Sequence, residues 1–206
     1  MNLENYYWYF KGAIPKITCD KIIKHANTKK EHMGVIGGLL ENKLTEEQEK
    51  DLKKQRDSNI TWLEDTWLYN LITPYIHTAN KNSGWNFEWD WCESIQFTKY
   101  KLNQFYGWHC DSWDKAYNEK EPKNFVGKIR KLSCIVSLTD SKDYEGGGVQ
   151  LDFRNKEDGS NIVTCEEIKG QGSIIIFPSF VWHQVKPVTK GTRYSLVCWT
   201  LGQKFK

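Results

Sequence analysis

The chain has no Cys-x-x-Cys pair, no long apolar run and no marked excess of either charge. Its 6 cysteines, at positions 19, 92, 110, 134, 165 and 198, are scattered. An even count would suit disulfides, but the opening MNLENYYWYFKG carries no basic-then-apolar export signal. The thiols are therefore expected to be reduced and mostly buried, in a cytoplasmic protein. No stretch approaches the roughly 20 apolar residues of a membrane-spanning helix, so no membrane partner is expected. A formal charge of +3, from 29 bases against 26 acids, gives no case for a polyanion such as nucleic acid. No linker, repeat or low-complexity tract divides the chain, which is expected to form one domain over 1–206.

What is present is a globular composition with a large aromatic share. Ten Trp, ten Tyr and nine Phe supply wide contact areas for a core that 206 residues can enclose. Residues 1–85 read as mainly helical. Thr18 is placed to cap a helix with Ile22, Ile23 and Ala26 on one face. Thr45 and Gln48 form a capping box opening a charged segment that runs to Arg56. Trp67, Leu68, Leu71, Ile72, Tyr75 and Ile76 repeat at helical spacing, with Pro74 predicting a kink or restart. From 86 onward the pattern changes to short strands, among them ESIQFTKYKL, KLSCIVSLTD, VQLDF, GSIIIFP and TRYSLVCWTL. In KLSCIVSLTD, Leu132, Cys134, Val136 and Leu138 alternate with Ser133, Ile135 and Ser137. A barrel or sandwich with helices packed outside follows. Between Ser112 and Lys128 lies a polar, aperiodic stretch of the kind that forms lids and binding loops.

The chemistry concentrates around GWHCDSWD. On a strand, His109 and Asp111 point to one face while Cys110 points to the other. Alone, such a pair is weak. Downstream, His183 follows a buried strand, and Arg193 and Ser195 share a face of the next one. Two imidazoles and a carboxylate are the facial triad of non-haem iron(II) sites, which leaves three coordination positions open for a chelating cosubstrate and dioxygen. An arginine on the same interior face would be an expensive unpaired charge unless it meets a carboxylate, which a guanidinium grips with two parallel hydrogen bonds.

From about residue 90 onward the chain resembles the Fe(II)/2-oxoglutarate-dependent oxygenases of the prolyl-hydroxylase type. The likeness lies in QFTKYKLNQFYGWHCD, RKLSCIVSLTDSKDYEGGGVQL and GSIIIFPSFVWHQVKPVTKGTRYSLVCWT. It is nearest to the bacterial and phage PKHD-type hydroxylases, whose H-x-V-x-P-V-x-x-G-x-R ending is matched. The Lys/Asn-rich, Ala-poor composition is similar to that of marine phage homologues. The resemblance implies an α+β fold: a double-stranded β-helix (jelly-roll) core over 86–206, with N-terminal helices packed on one sheet. It implies iron bound by His109, Asp111 and His183, and Arg193 on the far carboxylate of 2-oxoglutarate, aided by the Tyr106 hydroxyl and by Ser195. Ascorbate would be a further requirement, and succinate and carbon dioxide the coproducts. Prolyl residues of a peptide or protein are the implied substrate, with Tyr100 at its entrance and Trp113 as an aromatic platform under the 112–128 loop. One departure is EGGG, where relatives commonly read G-G-E.

Other readings are weighed against this one. Base-demethylating relatives carry a second arginine six positions after the cosubstrate arginine; Trp199 stands there instead, and no basic stripe is present. A small-molecule substrate, or a cupin-like module that binds metal without turnover, remains open, although a bare metal store needs no buried guanidinium. His25, His32 and His77 read as surface or capping residues. Trp108, Trp182 and Trp199 read as core packing.

Overall fold

The computed structural model describes residues 5–36, 44–112, 115–153 and 161–205. Three α-helices accompany the strands among the described residues. The first, α1 (Lys16–Ala26), buries Cys19, Ile22 and Ala26 along one stripe. It begins after Pro15 rather than at Thr18, because the Thr18 amide already closes the first turn onto the Pro15 carbonyl. The capping box forms as expected, and α2 spans Glu46–Gln55. It stops there because Arg56 is extended, which converts the end of the charged segment into a strand. The third helix, α3 (Thr66–Asn82), runs through Pro74 without a break. Leu68, Ile72, Ile76 and Ala79 are buried on one face, and their packing offsets the backbone bond that a proline removes.

The N-terminal third also holds strands that helical periodicity alone does not reveal: β1 (Trp8–Phe10), β2 (His32–Met33), β3 (Arg56–Asp57) and β4 (Asn59–Leu63). They are short and join sheets completed by distant segments, so a local window carries little of their signal. Downstream come β5 (Trp91–Cys92), β6 (Ile95–Tyr100), β7 (Phe105–His109), β8 (Lys128–Ser137), β9 (Tyr144–Gly146), β10 (Val149–Asp152), β11 (Ile162–Thr164), β12 (Ile174–Pro178), β13 (Trp182–Val185), β14 (Val188–Gly191) and β15 (Arg193–Gln203). An eight-stranded sheet runs β1-β12-β8-β15-β6-β4-β2, with β5 also on β15. A five-stranded sheet runs β11-β10-β13-β7-β3. The pair β14-β9 stands apart.

The large sheet separates two cores, and the alternation of β8 shows how. Leu132, Cys134, Val136 and Leu138 face the helices and pack with Ile22, Leu68, Ile72 and Ile76. Ile135 faces the other way and packs with Phe177 of the same sheet and with Leu151 and Val185 of the small one. The two sheets therefore close on a shared interior, the arrangement expected of a jelly-roll. Ser133 and Ser137 lie on that interior face, where hydroxyls rather than methyls meet the centre of the molecule.

Up to Gly127, the 112–128 stretch forms neither helix nor strand where it is described, and Lys128 opens β8. It is nonetheless tied down: the Tyr117 amide donates to the Lys128 carbonyl, and the Gly127 amide donates to the Tyr117 carbonyl. The helix–sheet core predicts a sharp contrast between two isoleucines. Ile72→Ala should lower unfolding free energy by about 2–5 kcal/mol, and Ile17→Ala, at an 80%-exposed position, by no more than about 0.5 kcal/mol. Urea titration measures both; equal losses would contradict the packing described.

Candidate metal and cosubstrate centre

Cross-strand register brings the two histidines together. In the antiparallel pairing of β13 with β7, His183 lies directly opposite His109, with a bulge before Val185 meets Tyr106. Their ring centroids are 4.1 Å apart. Asp111 lies two residues beyond the end of β7, so strand alternation is not what aims it. Instead the chain bends, and the amides of Asp111 and Ser112 both donate to the Ser179 carbonyl at 2.8 and 2.9 Å. The carboxylate then sits 3.8 Å from His109 Nε2 through Oδ1 and 3.4 Å from His183 Nε2 through Oδ2. One ligand atom from each residue lies within 4.8 Å of the others, and all three side chains are buried. Cys110 is directed elsewhere, its thiol donating to the Ser112 carbonyl.

Each ring is oriented by its second nitrogen. His109 Nδ1 meets the Gly107 carbonyl at 2.8 Å and His183 Nδ1 the Val181 carbonyl at 3.0 Å. A carbonyl only accepts, so each Nδ1 carries a proton, and each Nε2 is turned toward Asp111. Burial, joined by the neighbouring His183, lowers the His109 pKa to about 3, which keeps the ring neutral at pH 7. Burial alone would raise the Asp111 pKa, but His183, His109 and Arg130 outweigh it and hold the group at about 2. The result is a neutral His109 imidazole and an ionised carboxylate in a closed triangle with His183. Ligands about 2.1 Å from a metal at right angles lie about 3 Å apart, so the triangle fits a small divalent cation after a slight contraction. The nitrogen and oxygen donors and the facial arrangement suit iron(II).

Beside this triangle is a second polar centre. Arg193, at the start of β15, is 2% exposed. Its Nη1 donates to Ser195 Oγ at 3.3 Å, and no carboxylate pairs with it among the described residues. Register places Ser195 between Ser137 of β8 and Thr98 of β6, and Arg193 opposite Tyr100. A buried cation with only hydroxyl and ring neighbours carries a desolvation penalty of several kcal/mol, roughly, that an incoming carboxylate would offset. Two glycines nearby allow close approaches that a side chain would block. Gly191, in the matched H-x-V-x-P-V-x-x-G-x-R ending, has φ +72°, and a Cβ there would lie 2.1 Å from the Asp143 carbonyl oxygen. Gly147 has φ +62°, and its Cβ would lie 2.8 Å from Arg193 Cδ. Within EGGG, Gly147 thus lies against the guanidinium stem, where a side chain would collide.

The remaining expected residues divide. Tyr106 stacks on His109, with centroids 3.5 Å apart and planes at 10°, and burial raises its pKa to about 12. Tyr100 is 4% exposed with Arg193 over its ring at 5.5 Å, so it floors the arginine cradle rather than an open entrance. Trp113 lies outside the described residues. His25 pairs with Asp65 at 2.9 Å, and His77 stacks on Trp89, both away from the centre. Trp199 belongs to the site rather than to general packing. It shares the inner face of β15 with Arg193 and Ser195, lies 6.4 Å from Trp62, and carries the Arg130 guanidinium 4.0 Å over its ring. Its Nε1 is buried without a hydrogen-bond partner, near enough to Asp111 to favour the carboxylate.

Sequence reasoning missed several groups. Arg130 forms a two-bond ion pair with Glu93 at 2.6 Å for both contacts, and the Tyr117 hydroxyl joins Glu93 at 3.0 Å. Burial pulls the Arg130 pKa down, but Glu93 more than compensates and pushes it up. The buried Arg56 lies 4.5 Å over the Tyr106 ring and donates to Ser58, Val35 and Gln96. Serines on the inner face of β8 were visible in the alternation of KLSCIVSL, but pairs 37 residues apart leave no local trace.

Residues 95–201, just over half of the chain, match the model of the 2OG-Fe(II) oxygenase superfamily. A PKHD-type hydroxylase of Alteromonas mediterranea is 35% identical over 105 residues, 50% of this chain and 41% of that protein. The chain thus matches about two fifths of the length of this curated relative. Two solved structures are similar in fold. The viral collagen prolyl hydroxylase of Paramecium Bursaria Chlorella virus-1, in its 2OG complex, has a TM-score of 0.63 at 19% identity and covers 97% of each chain. A Trichoplax adhaerens prolyl hydroxylase, in complex with a hypoxia inducible factor peptide fragment, has a TM-score of 0.66 at 16% identity and covers 96% of this chain and 84% of that one. With the motif region matched from β6 into β15, and the triad and buried arginine inside it, the chain belongs to the 2OG-Fe(II) oxygenase superfamily.

Proposed function

We propose that this protein is an Fe(II)- and 2-oxoglutarate-dependent hydroxylase acting on prolyl residues of a peptide or protein. The observation that carries the oxygenase reading is the buried triangle of His109, Asp111 and His183 beside Arg193, a cation with no carboxylate partner among the described residues. Iron(II) held by the triangle would supply the redox chemistry that couples dioxygen and 2-oxoglutarate to C–H hydroxylation, with succinate and carbon dioxide as coproducts and ascorbate keeping the metal reduced. The prolyl reading rests on the PKHD-type relative and on the fold shared with prolyl hydroxylases, one of them holding a peptide.

The protein's own groups divide the remaining work. His109, Asp111 and His183 would hold the metal between them. Arg193 binds the far carboxylate of 2-oxoglutarate, and Ser195, Ser137 and Thr98 offer hydroxyls to it. Tyr106 stacks on His109 and keeps its plane, and its hydroxyl is a further donor for that carboxylate. Water is excluded on one side by Phe177, which meets His183 edge-on at 4.8 Å. Trp62, 43% exposed, and Trp199 continue the inner face outward and suit an extended, proline-bearing segment. Six free thiols fit a cytoplasmic setting.

Incubation with Fe(II), ascorbate, 2-oxoglutarate and a proline-rich peptide should release succinate and make the peptide one oxygen heavier by mass spectrometry. Asp111→Ala should abolish both products. Succinate without peptide oxidation would refute the prolyl assignment and keep the oxygenase. Arg193→Gln should raise the 2-oxoglutarate KM about 10- to 100-fold, the loss expected for hydrogen bonds to a charged group, with metal binding intact. Gly147→Ala should shift KM in the same direction by displacing the Arg193 stem. An unchanged KM in both variants would place the cosubstrate elsewhere.

A further inference from the structure

Two serines, 46 residues apart, converge on the metal-facing carboxylate. Ser133 Oγ lies 2.7 Å from Asp111 Oδ2, and Ser179 Oγ lies 3.0 Å from Ser133 Oγ. Both serines are fully buried, at 0% exposure. The direction of the bonds follows from donor counting. A carboxylate only accepts, so the single Ser133 proton must point at Asp111. Ser133 then has no proton left for its neighbour, and Ser179 must donate to it. The chain of hydroxyls reads Ser179 to Ser133 to Asp111, each bond polarising the next.

Ser179 acts on Asp111 a second time, through its carbonyl, which accepts the amides of Asp111 and Ser112. The same short turn serves a second ligand. The Val181 amide closes onto the Pro178 carbonyl, and the Val181 carbonyl accepts His183 Nδ1. Register fixes the turn against β8, with Phe177 opposite Ser133 and the Ser179 amide donating to the Lys131 carbonyl. One turn over residues 178–181 thus sets the backbone of Asp111, the side chain of Asp111 by way of Ser133, and the ring of His183.

We infer that Ser133 and Ser179 are positioning residues of the metal centre: their hydroxyl relay ties one oxygen of Asp111 so that the carboxylate cannot rotate away from the two histidines. This rests on the metal-centre reading above but not on any substrate. Neither serine is one of the three residues that would hold the metal, so the relay acts only through Asp111.

The test is Mn(II) affinity by calorimetry on the full chain, with the melting temperature of the metal-free protein in EDTA as a control on folding. Ser133→Ala should weaken Mn(II) binding about 10- to 100-fold, the range for lost outer-shell partners. Ser133→Thr, which keeps the hydroxyl, should restore most of it. Ser179→Ala should cost about 2- to 10-fold, as for one neutral hydrogen bond. Because Ser179 acts through Ser133, the double Ser133→Ala/Ser179→Ala variant should bind no more weakly than Ser133→Ala alone. Wild-type affinity in Ser133→Ala, or additive losses in the double variant, would overturn the relay while leaving the metal centre standing. No Mn(II) binding by the wild type would overturn both. Should Ser133→Ala fail to fold, the loss in Ser179→Ala and the recovery in Ser133→Thr decide the matter.

Discussion

The pairing of β13 with β7 is the constraint on which the site depends. It sets His183 against His109 across two adjacent strands, and every other feature is arranged around that pair. Side chains alternate along a strand, so a slip of one residue would turn His183 to the opposite face of the small sheet. The bulge before Val185 absorbs the local mismatch and leaves the histidines opposed. Once they are fixed, the bend after His109 returns Asp111 between them, held by the Ser179 carbonyl rather than by the strand.

Electrostatics then decides what this triangle can do. Burial in an apolar shell that includes Phe177 and Tyr106 would leave a lone carboxylate protonated and a lone imidazole neutral. Placed together, His109 stays neutral and Asp111 stays ionised, the protonation that binding a divalent cation requires of such ligands. Arg193 is the counterpart on the proposed cosubstrate side. Its charge has no carboxylate near it among the described residues, whereas Arg130, on the same inner face, is fully paired with Glu93. That contrast separates a cation built for a ligand from one built for the fold. Arg56 is an intermediate case, satisfied by neutral acceptors and stacked on the tyrosine that covers His109.

Much of this was legible in the sequence, and the failures have physical reasons. The H-x-D pair, the later histidine and the arginine ten residues beyond it announced the triad and the clamp because each sits at a fixed offset on or next to a strand. The inward serines of KLSCIVSL were readable as a polar stripe, though not as partners of Asp111. Thr18 failed as a cap because the proline before it had already started the helix, and Pro74 forced no restart because four buried contacts outweigh one lost hydrogen bond. Arg56 read as the end of a charged helix, and nothing local announced its strand, since β3 exists only by pairing with β7. Tyr100 read as rim and proved to be floor, because its depth depends on β15 lying beside it.

The central claim is that three side chains from separate parts of the chain share one cation. Electron paramagnetic resonance of Mn(II) titrated into the protein tests it most directly, since the sharp signal of the free ion is lost on binding. The account predicts quenching that saturates at one ion per chain in the wild type. It also predicts an undiminished free-ion signal, at the same concentrations, when His109 or His183 alone is changed to alanine. Saturable quenching that survives either substitution would contradict it.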